Sequence, residues 1–244
     1  RTYMEHTSGK KRRHYVLIDS AGAQHWVYCA EAGVDFVNST NSYISKSGTN
    51  SAYFQRLPLT AQWGMMLAGM YGWQEGKALP ISGINQHDYW LATQMIIWEY
   101  QQLLRTTPQS RVDNGPVDAN TFYEQIKGRP AEKAYNWILE QMAKHAVIPS
   151  FCSSNLSGAQ KHLLKYNPST KMFSITLTDT NNTGVDLRTL SGSGVTVTRN
   201  GNKYTFTSEK MMTSPVGIQY RKNIPVGDAL MIWGRIGYQT MMSG

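Results

Sequence analysis

The spacing of apolar residues changes twice along the chain, and this limits the folds open to it. From "LTAQWGMMLAGMYGW" to "AEKAYNWILEQMAKH" (131–145), apolar residues return every third or fourth position, the period of helices with a buried face. Before and after that block they alternate. "HYVLID" (14–19), "QHWVYC" (24–29), "KMFSITLTD" and "VTVTRNGNKYTF" (195–206) have the two-residue period of strands. Strands, then helices, then strands is a segregated order, which predicts an α+β fold rather than βαβ winding. The expectation is one domain over 1–244. A β-sandwich or barrel-like part comes from both ends, at about 1–57 and 148–244, with a helical subdomain inserted at about 58–147.

Local signals set the element ends. "SAGA" (20–23) is a small-residue turn that makes the first two strands a hairpin. Asn200-Gly201 is a hairpin tip, and "VGIQYRK" and "ALMIWGRIGYQ" read as further strands. Residues 38–56, rich in Ser, Asn, Thr and Tyr, read as loop. Thr60, Asn85 and Asp118 are placed to cap helices, and Gly128, Pro108 and Pro149 follow helix ends.

The chain is 41% hydrophobic, with seven Trp and fourteen Tyr, enough to build a core. No apolar run is long enough to span a bilayer, so no membrane insertion is expected, and no signal segment stands at the start. Net charge is +8, with the excess mostly in residues 151–244 and the "KKRRH" cluster at 10–14. No helix-turn-helix or aromatic-interleaved basic motif accompanies that charge. It reads as a solvated surface, and nucleic acid is not an expected partner. The six histidines are scattered and there is no C-x-x-C, so neither a metal site nor a cofactor is expected.

Two residues stand out. Cys29 closes an alternating run, just before "AEAG" turns the chain. It suits a small buried hydrophobe, half of a disulfide with Cys152, or a nucleophile. Gln94 lies in the apolar helical stretch "ATQMIIWEY", stacked with Leu91, Ile97 and Trp98. A buried carboxamide is costly unless it is hydrogen-bonded, so Gln94 is either a paired core residue or a group consumed chemically.

Together the two stretches resemble the thioester domains of Gram-positive surface adhesins. That family carries an aromatic residue followed by Cys, and later a Thr-Gln-x-Ala-type motif with a Trp soon after. Here those positions read Tyr28-Cys29 and Thr93-Gln94-Met95-Ile96 with Trp98 following; Ile96 stands where the family has Ala. The resemblance implies that the Cys29 sulfur and the Gln94 side-chain carbonyl join with loss of ammonia. The product would be an internal thioester that captures a Lys amine of a host cell-surface or extracellular-matrix protein. It further implies a monomer that reacts once and is not an enzyme, secreted and anchored to the cell wall through sequence outside this chain. Tyr28, Trp90 and Trp98 are placed to keep water out, and Cys152 has no part in the chemistry. Two rivals remain. One is a Cys29-dependent acyltransferase or protease using His25 or His87; the other is a non-covalent binding module with a Cys29–Cys152 disulfide.

Overall fold

The computed structural model describes residues 3–5, 11–34, 43–111, 119–153, 156–189, 193–221, 231–234 and 239–243. Its fold is α+β, with antiparallel sheets and five α-helices among those residues. The chain divides into two compact units, one of residues 1–143 with 225–244, the other of residues 144–224.

In the first unit a five-stranded antiparallel sheet takes strands from both ends of the chain. Its order is Tyr15–Ile18, Gln24–Cys29, Met241–Ser243, Met231–Gly234, Ile44–Ser47. The first two form the expected hairpin, with Tyr15 opposite Val27 and Ile18 opposite Gln24. On its other side Gln24–Cys29 pairs with the C-terminal strand, which puts Met241 opposite Cys29. The helices are α1 (Ala52–Arg56), α2 (Leu59–Tyr71), α3 (Gln86–Gln101), α4 (Ala119–Glu124) and α5 (Pro130–Ala146).

Several local expectations are corrected. The 38–56 loop contains strand Ile44–Ser47 and helix α1, because Ile44–Ser47 finds a partner in Met231–Gly234 and Ser51 Oγ accepts from Phe54 N–H to start the helix. Thr60 lies inside α2, whose N-cap is Pro58. Asn85 does cap α3, through a reciprocal box in which it accepts from Asp88 N–H at 2.8 Å and Asp88 accepts from Asn85 N–H at 2.9 Å. Asp118 lies outside the described residues. No sheet among the described residues closes on itself, so the barrel-like form of the β part is not found.

Helix α3 is buried all round, from His87 through Tyr100. Close approach of α2 permits this: a Cβ at Gly64 would stand 2.0 Å from the Tyr100 ring. Each buried polar side chain then needs a partner from another element. Thr93 Oγ1 donates to Tyr89 O and accepts from Trp73 N–H. Glu99 accepts from Arg105 Nε at 2.7 Å and from the Tyr135 hydroxyl at 2.6 Å, and Arg105 also donates to that hydroxyl and to Pro108 O. This network ties α3 to α5 and to the hairpin of Arg105–Thr107 with Ser110–Arg111.

On α3 the two ring nitrogens of His87 find no hydrogen-bond partner among the described residues. Its ring lies among aromatics. It stacks on Trp90 and meets His14 edge-on at 5.2 Å, and His14 stacks on Trp26 at 3.9 Å. Burial lowers the pKa of both imidazoles; for His14, burial and then the neighbouring His87 bring it down to about 4.

The second unit has its own antiparallel sheet, in the order Thr196–Asn200, Lys203–Ser208, Met172–Thr178, Lys165–Asn167. Val195, Tyr204 and Phe206 form its small core. The hairpin tip falls one residue later than the sequence suggests: Asn200 pairs with Lys203, leaving Gly201 and Asn202 as the turn. Only the first of these has positive φ, +61°, the type II′ arrangement that places Gly first. Strand Asp186–Thr189 pairs with Ile218–Arg221 apart from this sheet.

Two outcomes are expected. Arg105→Met leaves the Glu99 carboxylate buried without its cation, and urea unfolding should register a loss of about 3–5 kcal/mol. His14 is held neutral in the fold, so the unfolded chain binds its proton more readily. The His14 contribution is complete above about pH 6.5 and declines as pH falls toward about 4. Unfolding midpoints measured across that window should fall more steeply for wild type than for His14→Phe.

Candidate functional site

The segment from Trp26 to Ala32 runs along one stripe of α3. His87, Trp90, Gln94, Trp98 and Gln101 are three or four residues apart and share a face. Trp26 meets His87 edge-on. Trp90 Nε1 donates to Val27 O at 3.1 Å. Ala32 N–H donates to Gln101 Oε1 at 3.0 Å.

In the middle of this stripe Gln94 meets Cys29, 65 residues away in sequence, and both are 0% exposed. The contact is reciprocal. Cys29 N–H donates to Gln94 Oε1 at 2.8 Å, and Gln94 Nε2 donates to Cys29 O at 3.0 Å. The carboxamide carbon thus lies alongside the cysteine backbone, with an N–H already aimed at its oxygen. The sulfur donates to Glu31 O at 3.2 Å. Burial pushes the thiol up to about 11; the neighbouring Trp98 side chain and the Glu31 backbone bond pull it down.

The surroundings are dry and aromatic. Tyr28 stacks on Trp90 at 5.8 Å and donates its hydroxyl to Trp73 O at 2.6 Å. Trp98 packs on Phe122. Ile96 is fully buried. The turn after Cys29 is fastened on several sides. Tyr53 donates to Ala30 O at 2.6 Å, Ala30 N–H to Thr240 O at 2.8 Å, and Thr240 N–H to the Glu31 carboxylate at 2.6 Å. Gln102 donates to Ala32 O, and Gln239 to the carbonyls of Glu31 and Val34.

The structure therefore brings Cys29, Gln94 and Trp98 together and leaves the other candidates elsewhere. His25 sits at the far end of its strand, held between Asp19 at 2.9 Å and Glu75 at 2.8 Å, which raise its pKa. His87 packs among His14, Trp26 and Trp90. Cys29 and Cys152 are both free thiols, and Cys152 belongs to the second unit. Sequence reasoning missed Tyr53, Glu31 and residues 239–243, because nothing local marks which distant segments will meet the 29–34 turn. It also left the donor to Gln94 unnamed, and that donor is the Cys29 backbone N–H. Among the described residues no group of three or more metal-ligating side chains occurs, and no helix is long and apolar enough to cross a membrane.

Comparisons of the chain with protein-family models, with curated proteins and with solved structures return no match.

Without covalent chemistry, Gln94 still satisfies two buried backbone groups. In a Cys29→Ala background, Gln94→Ala should lose about 2–5 kcal/mol in denaturant unfolding, from two unpaired polar groups and a cavity.

Proposed function

We propose that this chain is a covalent adhesion domain, in which Cys29 and Gln94 form an internal thioester that captures a Lys amine on a host cell-surface or matrix protein. The observation that carries the reading is the buried, reciprocal pairing of the Gln94 carboxamide with the Cys29 backbone across 65 residues. The reading also rests on the Tyr-Cys and Thr-Gln motifs, which resemble those of Gram-positive adhesin thioester domains.

The sulfur attacks Cδ of Gln94, and negative charge builds on Oε1, which the Cys29 N–H already faces at 2.8 Å. The C–N bond breaks, the thiol proton goes to the departing nitrogen, and ammonia leaves. An amide is a poor acyl donor in water, but fixed beside its nucleophile in a dry site it gains an intramolecular advantage of about 7–11 kcal/mol at best. The resulting thioester is shielded by the full burial of both residues and by Tyr28, Trp90 and Trp98. A partner amine then adds to Cδ and frees the thiol, leaving a permanent amide. The domain acts once per molecule and needs no cofactor. It works as a monomer displayed on the cell wall of a Gram-positive bacterium.

Intact mass spectrometry tests this directly. Freshly purified protein should be lighter than its sequence mass by one ammonia. Cys29→Ala and Gln94→Ala should restore the full mass, while Cys152→Ser should keep the deficit. Methylamine should add to the wild type and expose a titratable thiol at Cys29, faster as pH rises and more amine is neutral. A fresh wild type at full mass refutes the thioester.

A further inference from the structure

We propose that Glu31 is the general base of the capture step and that it tunes the site toward amine nucleophiles; this inference rests on the thioester reading. Capture moves protons as well as bonds. The amine loses a proton as its nitrogen bonds to Cδ of Gln94, and the sulfur gains one as the C–S bond breaks. The buried thiol sits at about 11, so at neutral pH the sulfur departs as a thiol rather than as a bare thiolate. A single group able to accept the first proton and supply the second completes the exchange.

Glu31 stands where that group is needed. Its backbone carbonyl accepts from the Cys29 S–H at 3.2 Å, which holds the sulfur against this turn. Its carboxylate is fixed by Thr240 N–H at 2.6 Å, just before the strand whose Met241 lies opposite Cys29. Cys29 and Gln94 are wholly buried, whereas Glu31 on the following turn and Tyr53 on α1 are partly exposed, and in this proposal the nucleophile enters from that side. Tyr53, Gln101, Gln102 and Gln239 clamp that turn, so the carboxylate is held in place rather than swinging free.

The step balances. The neutral amine attacks Cδ, and its N–H proton passes to the Glu31 carboxylate. The tetrahedral intermediate collapses with loss of sulfur, and the same proton passes from the Glu31 carboxyl to Sγ. The products are a secondary amide and the Cys29 thiol, with Glu31 returned to its starting form. The fixed negative charge has a second effect. It favours a nucleophile that develops positive charge, as an amine does, and repels an anionic one such as a thiolate.

The test compares two nucleophiles, methylamine and 2-mercaptoethanol, with each rate expressed per thioester counted from the mass deficit. Glu31→Gln keeps an acceptor for Thr240 N–H and removes the charge and the basicity. It should slow methylamine addition about 10²-fold and accelerate thiolate exchange, while Glu31→Asp should retain most of the amine rate. Equal changes for both nucleophiles, or an unchanged amine rate, overturn the proposal. On wild-type protein alone, methylamine addition at matched amine protonation should be slower in D2O and thiolate exchange should not; no isotope effect on the amine also overturns it. A wild type at full mass overturns the thioester reading itself and this inference with it.

Discussion

A helix buried on every side must find a partner for each polar group it carries, and α3 carries five polar or charged side chains between His87 and Tyr100. Asp88 is used in the helix cap, Thr93 bridges to Trp73, Glu99 takes Arg105 and Tyr135, and Gln94 takes Cys29. These partners come from the hairpin strand, the loop after α2, the Arg105 hairpin and α5. The polar satisfaction of one helix therefore fixes the placement of most of the first unit around it. His87 is left outside this scheme; its ring stacks on Trp90, and burial lowers its pKa and so favours the neutral imidazole.

The same constraint produces the site. A carboxamide in a dry interior pairs with whatever donor and acceptor are close, and here they are the N–H and C=O of one residue, Cys29. The arrangement lowers the cost of burying Gln94 and also lays its carboxamide along the backbone of the residue that carries the thiol. Under the thioester reading, stability and reactivity arise from one contact. The C-terminal strand completes the enclosure: Met241 lies opposite Cys29, and Thr240 fastens the following turn through Ala30 and Glu31.

Elements whose formation depends on neighbours in sequence are legible from residue pattern alone. The Tyr15–Cys29 hairpin, the N-cap at Asn85 and the long amphipathic α5 each carry a local pattern that favours one conformation. Strand Ile44–Ser47 is not legible in this way. Its polar sequence has no strand period, and it is a strand because Met231–Gly234 supplies its ladder. The hairpin tip lies one residue beyond its expected place because cross-strand register, which the Asn-Gly dipeptide alone does not set, puts Asn200 in the last pair.

By itself the sequence determined the fold class, the helical block and the two residues whose chemistry is unusual for their surroundings. Periodicity records which face is buried, and a lone Gln among apolar residues records a demand for a partner. Tertiary structure alone decided who that partner is, that Cys29 N–H points at the Gln94 oxygen, and that Glu31, Tyr53 and Thr240 gather at the turn beside the sulfur. Contacts across 65 or 209 positions are selected by the packing of the whole unit, and no local pattern encodes them.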